Sequence, residues 1–149
     1  MTTFTRSREL AFVLHDVARM LRTYADQRAR EVHTTRAQWA VLVKLQRAQG
    51  VKQCELADAL DLAPITLTRL VDKLTASGLV ERRDDAADRR AHRLFLTAAA
   101  APTLQRLGAL GEAVMARALA GLDDEAIAGL IAGLQRIKTN LKHELTGGV

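Results

Sequence analysis

The residues best equipped for chemistry in this chain are arginines in two short clusters, and their chemistry is recognition of a polyanion rather than bond-making. The first cluster lies in PITLTRLVDKLTAS, residues 64–77. At helical spacing, Leu67, Leu70, Val71 and Leu74 gather with Ala63 on one side, while Ile65, Thr66, Arg69, Asp72, Lys73 and Ala76 gather on the other, with Thr68 at the border. A guanidinium can bond a guanine edge through two parallel hydrogen bonds, a threonine hydroxyl can meet a base or a phosphate, and a helix N-terminus attracts phosphate. The second cluster is Arg82, Arg83, Arg89, Arg90 and Arg93, with Asp84, Asp85 and Asp88 interleaved. Arginines on a hairpin suit the narrow, electronegative minor groove, and an aspartate two residues before an arginine can hold it in one pose. Each cluster taken singly is also compatible with a solvated, charge-balanced surface.

The elements that must carry these clusters follow from the hydrophobic pattern. Gln53 to Leu60 reads as a short helix, Asp61-Leu62-Ala63 as a tight turn, and Pro64 as the first residue of a second helix that stops at Gly78. Leu79 to Arg82 and His92 to Thr97 read as two strands joined by a polar stretch, a protruding wing with no reason to fold back on the core. Before this winged helix-turn-helix comes a helix over about Ser7 to Glu31, striped by Leu10, Val13, Leu14, Val17, Leu21 and Tyr24, with Phe12 and Met20 widening its apolar face. A second helix begins at a capping box, Thr35 to Gln38, and presents Trp39, Leu42, Val43 and Leu45 before Gly50 ends it. After the wing, Thr97 is placed to cap a helix reaching about Gly121, bent early by Pro102. A last helix opens with Asp123-Asp124-Glu125 and carries Ile127, Leu130, Ile131, Leu134, Ile137, Leu141 and Leu145 in one stripe. Apolar stripes on both terminal helices need a cover. Intramolecular packing could supply it, but a second copy of the chain is favoured.

Composition narrows the function classes. The chain has 149 residues, 48% of them hydrophobic and 26% charged, enough for one domain with a real core. Net charge is +5, and all of the excess sits in residues 1–50, which hold nine basic and four acidic side chains; residues 51–97 carry eight of each. No apolar run approaches a membrane span, and MTTFTRSREL has no secretory-signal pattern, so a cytoplasmic protein is expected. The single cysteine, Cys54, excludes an internal disulfide and reads as a small, partly buried filler rather than a redox centre. His15, His33, His92 and His143 are scattered without metal-ligand spacing, and no nucleophile elbow or phosphate loop is present, so neither metal, cofactor nor enzymatic activity is expected.

The segments RAQWAVLVKL, QCELADALDLAPITLTRLVDKLTASGLVERR, DRRAHRLFLT and LDDEAIAGLIAGLQRIKTNL occur in an order that resembles the MarR family of multiple antibiotic resistance regulators, most closely its SlyA-like branch. The resemblance spans about residues 8 to 145 and is most specific from GLVERR through DRRAHRLFLT. It implies a mostly α single domain: helices within 7–34 and 98–146 for dimerisation, and a winged helix-turn-helix over 35–97. It further implies a homodimer on a pseudo-palindromic duplex operator, usually as a repressor. Carried over by position, Pro64, Ile65, Thr66, Thr68, Arg69 and Lys73 would read DNA from the recognition helix. Arg90 would enter the minor groove braced by Asp88, and Arg89 and Arg93 would add phosphate contacts. Many members release DNA when a small, often phenolic or aromatic, acid enters a cleft, for which the candidates here are His15, Arg19, Trp39 and Asp72. Trp39 is equally readable as plain core. Two other classes compete with a ligand-tuned transcription factor. One is a winged-helix module that binds protein, which the basic helix face and wing oppose; the other is a small helical enzyme, for which no motif exists.

Overall fold

A computed structural model describes residues 3–147. Its elements in order are α1 (Thr3–Arg30), α2 (Arg36–Arg47), β1 (Val51–Lys52), α3 (Gln53–Ala59), α4 (Pro64–Ala76), β2 (Val80–Asp84), β3 (His92–Leu96), α5 (Ala100–Ala118) and α6 (Asp124–Thr146). The chain divides into two compact units, Met1–Val114 and Met115–Val149.

In the first unit, the core is built by α2, α3, α4, the sheet and the first turns of α5. Val41, Leu42, Leu45, Leu56, Leu67, Val71, Leu74, Val80, Leu94 and Leu107 form one buried cluster. The capping box expected at Thr35 is present: its side chain accepts from the Gln38 N–H while the Gln38 side chain accepts from the Thr35 N–H. Pro64 opens α4 where its missing N–H costs no hydrogen bond. Gly78, at φ +74°, lets Leu79 N–H reach the Leu74 carbonyl and turn the chain into β2. The three strands are antiparallel in the order β1-β3-β2, with Val80 opposite Leu96 and Asp84 opposite His92.

Three sequence expectations need correction here. The two-residue strand β1 was not foreseen, since Val51-Lys52 is too short to show a period; it pairs with Leu94 and Arg93 of β3. Gly50, at φ +78°, feeds it, and a Cβ there would sit 3.1 Å from the Phe95 ring. Thr97 does not cap α5. Its hydroxyl donates to the Gly78 carbonyl, tying the end of β3 to the end of α4, and the helix begins at Ala100. Pro102 is therefore the third residue of α5, where no intrahelical N–H bond is lost and no bend is required.

In the second unit, Gly121, at φ +87°, reverses the chain after α5, and Asp123 caps α6 by accepting from the Ala126 N–H. Asp124 and Glu125 follow at the positive end of the helix dipole. No residue of α6 is buried in a single chain. Leu130, Ile131, Leu134, Leu141 and Leu145 of its stripe are exposed, as are Leu10, Phe12, Val13, Val17 and Met20 of α1. Among the described residues no helix is long and apolar enough to cross a membrane, and no group of three or more metal-ligating side chains comes together.

Candidate nucleic-acid interface

The start of α4 and the wing face each other across a recess of about 310 Å³, lined by Gln53, Cys54 and Ala57 of α3, Pro64 and Leu67 of α4, and Asp88, Arg90, Ala91 and His92 of the wing. Its N-terminal rim is uncapped: Ala63, the residue before α4, offers no side-chain hydrogen bond to the first helical N–H groups. That leaves the positive end of the dipole available to an anion.

The arginines of the two clusters separate into those held by the protein and those that are not. Arg82 is held most. Its Nη2 lies 2.7 Å from Asp72 Oδ1 and donates to the Thr68 carbonyl, and its Nε donates to Gln53 Oε1. The Gln53 amide in turn donates to Thr68 Oγ1, which donates to the Pro64 carbonyl. One guanidinium thus locks β2 to α3 and α4, a use of the rigid fork that lysine could not reproduce. Arg83 stacks over the Phe95 ring, 4.0 Å from its centroid, and pairs with Glu81.

Arg93 sits opposite Arg83 in the ladder but is turned to a different acid. Its Nε is 3.0 Å from Asp85 Oδ2 and its Nη1 donates to the Gly50 carbonyl. Asp85 corrects the expectation of a wing that is polar and solvated throughout, because it is only 5% exposed. It accepts from the Ala87 N–H, and Lys52 Nζ lies 3.8 Å away. The Ala87 N–H chiefly, with Arg93 and Lys52 adding to it, holds the Asp85 carboxyl below the usual aspartate value against the opposing effect of burial. This buried acid pins the base of the wing to β1.

By contrast, the side-chain cations of Arg69, Lys73, Arg89 and Arg90 have no ion-pair or hydrogen-bond partner among the described residues, and all four residues are exposed. Ile65 is 59% exposed beside them, and Thr66 is exposed too. Of the ten positions expected to touch DNA, Thr68 and Arg93 have their polar groups engaged inside the protein. Asp88 braces Arg90 differently from expectation: its carboxylate accepts from the Arg90 backbone N–H, fixing the turn and leaving the guanidinium unheld.

The four candidate effector residues lie on three helices, with His15 and Arg19 one turn apart on α1. Trp39 is half-buried against the core, and its ring lies 3.1 Å from where a Cβ on Gly111 would sit. Asp72 is occupied by Arg82, His15 is exposed, and Arg19 pairs with Asp16 at 3.1 Å. Cys54 also departs from expectation. It is exposed on the wall of the recess rather than filling the core, because the buried face of the short α3 is taken by Leu56 and Ala57.

A family model for the MarR family matches residues 34–92, from α2 to the start of β3. The crystal structure of transcriptional regulator PA3341 is 32% identical, with a TM-score of 0.79 over 90% of this chain and 98% of that one. The chain belongs to the MarR family. A MarR-family transcriptional regulator from Rhodococcus sp. RHA1 is 26% identical, with a TM-score of 0.79 over 88% of this chain and 93% of that one. A mutant MarR from E. coli, complexed with operator DNA, shares the fold at 24% identity and a TM-score of 0.78, over 92% of this chain and 99% of that one. As a MarR-family member this protein is a winged-helix transcriptional regulator and not an enzyme. Sequence reasoning missed Gln53 and Arg82 as a positioning pair. The only signal was Arg82 at the root of the wing, indistinguishable there from its neighbours.

Proposed function

We propose that this regulator binds a pseudo-palindromic duplex operator as a homodimer in the cytoplasm, represses transcription from it, and is released by a small ligand. The observation that carries this reading is the sorting of cations: Arg82, Arg83 and Arg93 have partners within the chain, while Arg69, Lys73, Arg89 and Arg90 on α4 and the wing have none among the described residues. Unpaired cations on a rigid backbone release counterions from a polyphosphate without first breaking an internal ion pair. Arg69, Thr66 and Ile65 would meet base edges in the major groove, Ile65 against a thymine methyl. Pro64 would bring the helix start close to the backbone, Lys73 and Arg89 would meet phosphates, and Arg90 would enter the minor groove. Thr68, Asp88 and Arg93 act by positioning. The operator complex of the E. coli relative supports the DNA partner.

Homodimerisation is supported by the uncovered apolar faces of α1 and α6, which are too extensive to stay in water. Recognition helices of a two-fold dimer then meet major grooves about one helical turn apart. The test is fluorescence anisotropy with the DNA upstream of the protein's own gene, with and without aromatic acids, alongside sedimentation of the wild-type chain and Ile131→Asp. Saturable binding in competition with random duplex, lowered by an acid, and a dimer lost in Ile131→Asp are expected. Equal affinity for random duplex would overturn operator specificity, and an unchanged dimer in Ile131→Asp would overturn the interface.

A further inference from the structure

The basic excess of the chain is not on the recognition helix and the wing. Residues 51–97, which include α4 and the wing, carry equal numbers of acidic and basic side chains, and the whole surplus lies in residues 1–50. The fold gathers much of it at one place. Arg19, Arg22, Thr23 and Asp26 of α1 and Thr35, Arg36 and Ala37 at the start of α2 line a second recess, of about 360 Å³.

Three guanidiniums around one hollow repel one another unless something neutralises them, and the protein's own acids do so only in part. Arg19 has an exposed helical pair with Asp16, of the kind that contributes little. Asp26, the one acid in the lining, is already used twice: its Oδ1 accepts from the Arg36 backbone N–H and its Oδ2 pairs with Arg30 at 2.8 Å. The Arg36 N–H, with the charges of Arg30 and Arg36, lowers its carboxyl below the usual aspartate value, so it stays ionised and turned to those partners. The guanidiniums of Arg22 and Arg36 have no hydrogen-bond or ion-pair partner among the described residues, Arg36 acting on Asp26 only at longer range, and both residues are exposed.

We infer that this recess between α1 and α2 is a binding site for a phosphate-type oxyanion, gripped by the guanidiniums of Arg22 and Arg36 with Arg19 on its rim. Planar forks suit such an anion, because each can give two parallel hydrogen bonds to it. The lining carries three cations against one acid and has no aromatic ring, so a phosphate or phosphate ester fits it better than an aromatic acid does. The anion has two conceivable sources, a free small molecule or a backbone phosphate of bound duplex. The site itself requires only the chain and does not depend on the operator reading.

The test uses the full chain, a double variant Arg22→Gln/Arg36→Gln, and a charge-matched control Arg106→Gln/Arg117→Gln on α5. Inorganic phosphate is titrated calorimetrically at constant ionic strength set by chloride, and duplex affinity is measured over a salt series in phosphate-free buffer. For a free anion, saturable phosphate binding is expected in the wild type and the control, weakened about tenfold or more in the recess variant, with duplex affinity unchanged. For a backbone phosphate, the recess variant loses duplex affinity and its log–log salt slope falls by about two. The inference is overturned if neither phosphate nor duplex binding changes in the recess variant, or if the control changes both as much.

Discussion

The winged lobe and the terminal helices are built on opposite plans. In the lobe, α2, α3, α4 and the sheet bury or half-bury every large apolar side chain but Ile65, and even the charged wing is anchored by a buried aspartate. In α6 the same density of leucine and isoleucine leaves no residue fully buried within one chain, and α1 exposes the N-terminal part of its stripe, from Leu10 to Val17. Amphipathic patterning is thus present in both regions, but only in the lobe does it close into a buried core. The lobe finds its core within one chain, whereas the stripes of α1 and α6 do so only in part.

The sharpest way to break this contrast is to remove one leucine from each region. Leu67→Ala, in the fully buried core of the lobe, should cost about 2–5 kcal/mol in urea denaturation at any protein concentration. Leu134→Ala on α6 should instead act through association, with a destabilisation that grows on dilution. A concentration-independent loss as large as that of Leu67→Ala would show that α6 has an intrachain partner after all.

Within the lobe, the division between free and engaged cations makes its own predictions. Arg69→Ala should cost roughly 1–3 kcal/mol of operator affinity and relax preference at one base position, measured by competition among single-substituted operators. Arg90→Ala should weaken all sequences more evenly and lower the log–log salt slope by about one. Arg82→Lys keeps its charge but loses the fork spanning Gln53, Thr68 and Asp72, so it should cost on the order of 1 kcal/mol in affinity while leaving the salt slope unchanged. A change of slope in Arg82→Lys would mean that this guanidinium meets phosphate directly.

The smallest effect is on the wing root. Asp85 has its folded pKa lowered, so its stabilisation is complete above the unfolded aspartate value of about 4 and is lost as pH falls through the lower folded value. Thermal melts should therefore show the wild type losing stability more steeply than Asp85→Asn below about pH 4, with the difference between them constant from pH 6 to 8. Parallel profiles across the acid range would remove Asp85 as the anchor of the wing.

Much of this architecture was legible in the chain. The capping box at Thr35, Pro64 at a helix start, Gly78 at a helix stop and the change of period after Leu79 are local signals, and each element formed where they put it. Thr97 and Cys54 misled because a hydroxyl before a helix and a small thiol in a short helix have more than one local use. The choice was made by Gly78 in one case and by the Leu56–Ala57 face in the other.

By itself, then, the order of residues determined the helices, the hairpin, the apolar stripes and the family, because these depend on period, caps and turns within a few neighbours. Which arginines are struts and which remain free was decided only in three dimensions. Arg82, Arg83, Arg89, Arg90 and Arg93 are chemically identical along the chain, and ion pairing depends on what the fold brings within about 3 Å of each guanidinium. Gln53 and Asp72 reach Arg82, Asp85 reaches Arg93, and no described residue pairs with the Arg90 guanidinium. The same holds for Arg22 and Arg36, fourteen positions apart, which share a recess only because α2 starts beside α1.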